Sequence, residues 1–202
     1  MITIPQLGPI KNNAYILTSN KQAVLIDAPP EPEKILAEIN KHKLKIKYIL
    51  ITHGHPDHIA SAVLLKEKTG AELVAHQADL KMFQNPWNLV IVKAKPFTPD
   101  LFIQDNEEIK LGNKKFMSLK VIHTPGHSQG SSCFYDEKEK SVFTGDTLFY
   151  HARGRTDLPG GNDKQLLQSI KEKLFTLPDK TKIFPGHGHP SNIGREKDYF
   201  NS

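Results

Sequence analysis

One cysteine, Cys133, is the whole thiol inventory of this 202-residue chain. An internal disulfide framework is therefore excluded, and the composition suits a reducing compartment. No apolar run is long enough to span a bilayer, and the start, MITIPQLGPI, lacks the basic residues and apolar stretch of a secretory signal. A cytoplasmic location without membrane association is the expectation. Blocks of like charge are missing as well. The net charge is +5, but the lysines are spread along the chain, which suits a solvated surface and argues against nucleic acid as a partner. Low-complexity tracts, internal repeats and interdomain linkers are also lacking. Residues 1–202 read as one domain, long enough to bury a proper core.

What is present is organised around the stretch Tyr48 to His58, YILITHGHPDH. An apolar, β-branched run from Ile46 to Thr52 predicts a buried strand. It meets Gly54 and Pro56, which end strands and set tight turns. In that turn lie His53, His55, Asp57 and His58, four potential ligands within six positions. Imidazole and carboxylate together suit zinc, iron(II) and similar borderline metals. A solvated polar loop is the bland alternative, and three histidines and an aspartate at one strand end make it a poor one. The crowding also suggests more than one ion, because adjacent Asp57 and His58 point differently from the His53/His55 pair.

Elsewhere the pattern alternates strands and helices. Ala14–Thr18 and Ala23–Asp27 read as strands around the turn Ser19-Asn20-Lys21, and Glu31 to Lys41 as an amphipathic helix. A second helix is expected from Ile59 to Lys68, a strand at Glu72–Ala75 and a short helix from His76 to Phe83. Asn85 to Asp100, with three prolines and the only tryptophan, reads as a long surface excursion. Strands follow at Phe102-Ile103, Glu108–Leu111 and Met117–His123, with Gly112-Asn113 as a turn. Ser131–Tyr135 and Ser141–Thr144 form a hairpin. Gln165 to Phe175 is the last helix and Lys182 to Phe184 the last strand. Two batches result, ending near Phe83 and Phe175, which predicts sheets layered with outer helices, an α/β class.

Three further strands end in the same way. Leu119–His123 leads to Thr124-Pro125-Gly126-His127, Val142–Thr144 to Gly145-Asp146, and Ile183-Phe184 to Pro185-Gly186-His187. Any one is an ordinary turn. Four in one chain predict ligands converging on one sheet edge. His123 reads as a packing or supporting residue, His189 as a supporting or surface one, His42, His76 and His151 as ordinary, and Cys133 as a small buried hydrophobe. Arg153 and Arg155, beyond Asp146, are candidates to grip a substrate carboxylate, with an ion pair to Asp157 as the structural alternative. Lys197 and Tyr199 are weaker candidates of that kind.

This ordered set of motifs resembles the metallo-β-lactamase-fold hydrolases, and within them the single-domain type II glyoxalase-like (hydroxyacylglutathione hydrolase-like) proteins. Gly154-Arg155-Thr156-Asp157-Leu158-Pro159-Gly160-Gly161 and Ile193-Gly194-Arg195-Glu196 add to the likeness. The resemblance implies an αββα four-layer sandwich with two divalent metal ions, zinc or else iron or a mixed iron–zinc pair. Carried over, His53, His55 and His127 hold one ion, Asp57, His58 and His187 the other, and Asp146 bridges them. The implied reaction is attack of a metal-bound hydroxide on a thioester such as S-lactoylglutathione, with Asp57 a ligand that also orients the nucleophile. Two divalent ions against two carboxylates leave about two positive charges, which suits an anionic small-molecule substrate. The helical C-terminal domain of two-domain glyoxalase II is not seen, which puts the thiol group in question. A one-iron persulfide dioxygenase of the same fold is the alternative, with His53, His127 and Asp146 as its ligands. A dinuclear β-lactamase fits less well, since a cysteine is expected where Asp146 stands.

Overall fold

The computed structural model describes residues 1–87, 91–112 and 117–201. The first strands form as their sequences dictate. Asn20 and Lys21 both have positive φ, the backbone that a two-residue hairpin turn requires. They join β2 (Asn12–Ser19) to β3 (Gln22–Ile26), and β1 (Ile2–Leu7) pairs on the open side of β2. Pro32 opens α1 (Pro32–Lys41), which buries Ile35 and Ile39. Then come β4 (Lys45–Leu50), α2 (Pro56–Ile59), α3 (Ala62–Thr69), β5 (Glu72–His76), α4 (Leu80–Gln84) and β6 (Leu101–Ile103). These strands form a six-stranded sheet in sequence order, antiparallel from β1 to β3 and parallel from β3 to β6.

The second sheet is built from β7 (Glu108–Leu111), β8 (Met117–His123), β9 (Ser132–Asp136), β10 (Ser141–Gly145), and then, after the small hairpin β11 (Leu148–Phe149) and β12 (Ala152–Arg153) and helix α5 (Asp163–Glu172), from β13 (Lys182–Pro185) and β14 (Ser191–Asn192). Its order is β14-β13-β10-β9-β8-β7, with the β10–β13 pair parallel. Helix α6 (Ile193–Asn201) closes the described chain.

Side-chain alternation shows four layers. Along β2 and β3, Tyr15, Leu17, Val24 and Ile26 face the second sheet and meet Val121, Phe134 and Phe143. The residues between them, Ala14, Ile16, Ala23 and Leu25, face the opposite way and pack with Ile35, Ile39 and Leu65 of α1 and α3. On the far side of the second sheet, Cys133 and Val142 pack with Leu166 and Ile170 of α5 and Ile193 of α6. Sheets stacked face to face and covered outside by helices are the αββα sandwich that the sequence predicts.

Several boundaries differ from expectation. The helix expected over Ile59–Lys68 is broken at Ala60-Ser61. Its backbone is diverted there to Ala28, whose N–H donates to His58 O and whose O accepts from Ser61 N, both at 2.8 Å. The first batch ends at Ile103 rather than Phe83, because β6 pairs with β5. Residues 91–100 are not a mere surface excursion. Val92 and Ala94 are buried, Phe97 stacks on Phe83 with ring centroids 5.2 Å apart, and Asp100 N donates to Leu73 O. Strands β1, β11, β12 and β14 and helix α6 were not legible. Asn113 of the expected Gly112-Asn113 turn lies outside the described residues. Among the described residues, no helix is long and apolar enough to cross a membrane.

Candidate metal centre

The segments that follow β4, β8, β10 and β13 meet at one edge of the sandwich and bring all seven predicted ligand residues together. Three groups have donor atoms that all lie within 4.8 Å of one another: His53, His55 and His127; His53, His58 and Asp146; and Asp57, His58 and His187. Asp146 stands between the outer two. Its Oδ2 is 3.6 Å from His127 Nε2 and 3.5 Å from His187 Nε2, and its Oδ1 is 3.2 Å from His58 Nε2. The turn after β13 passes so close that a Cβ on Gly186 would lie 2.5 Å from Asp146 Oδ1. Only glycine fits there.

Hydrogen bonds on the outer nitrogens fix how the rings present themselves. His127 Nδ1 donates to Arg155 O at 2.7 Å, His187 Nδ1 to Ile10 O at 3.1 Å, and His58 Nδ1 to Asp27 Oδ2 at 2.8 Å. The Thr52 hydroxyl donates to Asp27 and so accepts from His53 Nδ1 at 3.1 Å. In a neutral imidazole the Nε2 atoms then carry lone pairs, not protons. Yet His53 Nε2 and His127 Nε2 are 3.1 Å apart, and His58 Nε2 and His187 Nε2 3.3 Å. Such lone pairs repel one another unless a cation lies between them. His55 Nε2 is in addition buried without a hydrogen-bond partner. Nitrogen and carboxylate donors in these two clusters fit a pair of divalent ions.

Where no ion is bound, protons stand in for its charge at the second cluster: against the cost of burial, Asp146, Asp27 and Asp57 raise His58 well above the usual histidine range, and Asp146 and Asp57 raise His187. Burial holds His53 well below the usual histidine range, helped by the neighbouring rings, and lowers His55 to about 3. Both are neutral, as ligands must be. Burial opposes ionisation of Asp146, but His58 and His187 outweigh it and bring its carboxyl down to about 2. Asp57 is likewise held below its usual range against the cost of burial, by His58, His187 and the Asn12 amide.

Three supporting residues escaped the sequence reading. Asn12 Nδ2 donates to Asp57 Oδ2 at 3.0 Å. Asp27 orients His58 and also accepts from Thr52 N at 2.8 Å. Its signal was present, since Val24-Leu25-Ile26-Asp27 is another apolar strand ending in an acid. Buried Asp79 accepts from Gly54 N at 2.9 Å, Ser128 Oγ at 2.7 Å and Gly130 N at 2.6 Å, tying the His53–His55 turn to the His127 loop. Nothing in the sequence marked it.

The remaining residues separate clearly. A cavity of about 380 Å³ opens over the centre, its floor including His55, Asp57, His127, Asp146 and His187 and its walls Ile10, Trp87, Phe149, Arg155 and Leu158. Trp87 stacks on His55, with centroids 5.7 Å apart. Arg155 makes a two-pronged pair with Asp157 at 2.7 and 2.6 Å, and Arg153 pairs with Asp163 away from the cavity. His123 stacks on His76, His189 is exposed, and neither belongs to the clusters. Cys133 is fully buried, and burial pushes its thiol up to about 11.

Comparison with known proteins agrees with this centre. The family model described as the Metallo-beta-lactamase superfamily matches residues 7–187. Hydroxyacylglutathione hydrolase GloC of Haemophilus influenzae is 35% identical over 96% of this chain and 93% of its own length. The crystal structure of BLEG-1 B3 metallo-beta-lactamase superposes with a TM-score of 0.89 at 33% identity, covering 96% of this chain and 95% of that one. TTHA1623, in a di-iron-bound form, gives 0.86 at 34% identity over 98% and 97%. The chain belongs to the metallo-beta-lactamase superfamily.

Proposed function

We propose that this protein is a metal-dependent hydrolase of thioesters, with S-lactoylglutathione as its first candidate substrate. One observation carries the proposal. Six of the seven donors form two outer groups, and the Asp146 carboxylate lies 3.6 Å from His127 in one and 3.5 Å from His187 in the other. The likeness to the hydrolase named GloC supports the substrate choice.

Two divalent ions in such clusters, zinc or iron by donor type, supply a hydroxide nucleophile at neutral pH and polarise a carbonyl oxygen. His53, His55 and His127 would hold one ion and Asp57, His58 and His187 the other, with Asp146 within reach of both. The chain's own contribution is placement. Asn12 fixes Asp57 Oδ2, so that this carboxylate, on the cavity floor, orients the attacking water. Hydrogen bonds from Thr52, Asp27, Arg155 O and Ile10 O lock the imidazoles, so little reorganisation accompanies reaction. Arg155 stands on the cavity wall with its guanidinium held by Asp157, whereas Arg153 serves its pair with Asp163.

Thiol release from S-lactoylglutathione by metal-replete protein tests this reading. We expect kcat/KM of about 10⁴ M⁻¹s⁻¹ or more, inside the usual enzyme range. Asp146→Ala loses bound metal and nearly all turnover, while Cys133→Ala loses neither. Full metal and full turnover in Asp146→Ala would sink the bridging assignment. The structural likeness to BLEG-1 makes β-lactam hydrolysis the second reading, separated by a chromogenic cephalosporin assay. The one-iron dioxygenase reading leaves Asp57, His58 and His187 without a task, and oxygen uptake with glutathione persulfide would restore it.

A further inference from the structure

The walls of the cavity differ in kind from its floor. Ile10, Trp87, Phe149 and Leu158 come from four separate segments and are all half-buried around the opening. Two of them bracket the centre with rings. Trp87 lies flat on His55, its plane within 11°, and Phe149 stands edge-on to His187 with centroids 6.1 Å apart. The two aromatic walls therefore stand over the two opposite metal clusters.

Cationic side chains are scarce on those walls, away from the ligand residues of the floor. Among the described residues that line the cavity, Arg155 is the one lysine or arginine. Its guanidinium is already engaged two-pronged by Asp157. Even if that exposed pair opens, the Asp157 carboxylate stays beside any incoming anion. A glutathione group carries two carboxylates and an ammonium. Set against these walls it would give up hydration without gaining matched partners. An apolar group loses nothing there and gains contact on two sides. The volume, about 380 Å³, suits a ligand of modest size.

We infer that the cavity prefers a thioester bearing an apolar group of aromatic size, held between Trp87 and Phe149, and that the charges of a glutathione carrier add no affinity. This rests on the thioester reading for the reaction but not for the binding. Trp87 is the only tryptophan in the chain, so its fluorescence reports the cavity directly.

The experiment uses four non-hydrolysable thioethers: S-benzyl and S-methyl derivatives of N-acetylcysteamine and of glutathione. Each is titrated into metal-replete protein while Trp87 emission is followed. We expect benzyl to bind at least ten-fold tighter than methyl on either carrier, and glutathione to change affinity by less than three-fold. Equal affinity of benzyl and methyl, or tighter binding of both glutathione compounds, overturns the inference. A parallel assay compares phenylacetyl and acetyl thioesters of N-acetylcysteamine. A kcat/KM ratio of ten or more is expected, falling towards one in Trp87→Ala. Thiol release without that preference defeats the apolar site and leaves the reaction standing. Preferential benzyl binding with no thiol release from any thioester defeats the reaction and leaves the site standing.

Discussion

Asp79 shows how one carboxylate can govern a centre it does not touch. It is 1% exposed, and its acceptor oxygens collect two backbone N–H groups and a hydroxyl from the loops on either side of the first metal cluster. Burial raises its pKa, and the three donors work against that rise. Asp79→Asn keeps the shape but turns an NH₂ towards at least one of those donors. We predict a loss of about 2 kcal/mol in stability, of the size expected for an unsatisfied buried polar group. Metal affinity should fall about ten-fold or more, as for other residues that orient ligands. Urea unfolding and competition with a chelator measure the two effects. Unaltered affinity would mean that the loops hold their places without Asp79. Residues of this kind were invisible beforehand for a physical reason. The seven ligand residues announced themselves locally, each near a strand end with a glycine or proline within two residues. Asp79 acquires its role only when residues 54, 128 and 130 fold around it.

Among the elements, helix α5 and the His127 loop depend on one another. Gly126 has φ +135°, and a Cβ there would lie 2.2 Å from Leu166 N in the first turns of α5. Its carbonyl also accepts from Asn162 N, at the point where the Asn162 side chain caps the helix. Gly126→Ala must therefore displace either the helix or the ligand loop. We predict destabilisation of about 3 kcal/mol or more, from backbone strain and overpacking together. Thermal unfolding followed by circular dichroism measures it, and a variant as stable as the parent would refute the coupling. Elements with strong periodicity, such as α1, β4 and β8, were legible because local pattern and tertiary packing agree. The helix over Ile59–Lys68 was misread because Ala28 takes two backbone hydrogen bonds that a continuous helix would keep. Strand β1 carries Pro5, which an edge strand tolerates but which hides its pattern from a sequence reading.

For the whole molecule, the decisive fact is where the donors originate. His53, His55, Asp57 and His58 follow the first sheet's β4, whereas His127, Asp146 and His187 follow strands of the second. A bound ion therefore clamps the sheets together at that edge. Stabilisation by a ligand grows as RT ln(1 + [L]/Kd), about 4 kcal/mol at a thousand-fold excess over Kd. We predict that chelation lowers Tm by several degrees in the parent protein, and that Asp146→Ala, already lacking metal, shows no such response. Calorimetry with and without chelator decides it. Equal melting temperatures for the two parent samples would show that the sheets need no clamp.

The connection between Asn12–Asn13 and the turn after β13 carries a consequence for synthesis. Asn13 Nδ2 and Tyr15 Oη donate to Pro185 O, and Asn13 N donates to Gly186 O, joining two segments more than 170 residues apart. A ribosome delivers Asn13 long before Pro185, 172 residues further on. The inner face of the first sheet, with Tyr15, Leu17 and Val24, waits for Val121, Phe134 and Phe143 of the second sheet, and the edge at Asn13 waits longer still, for Pro185. The nascent chain must keep that face from other chains while the second sheet is still being made, and the edge that carries the ligand residues closes only once β13 has emerged.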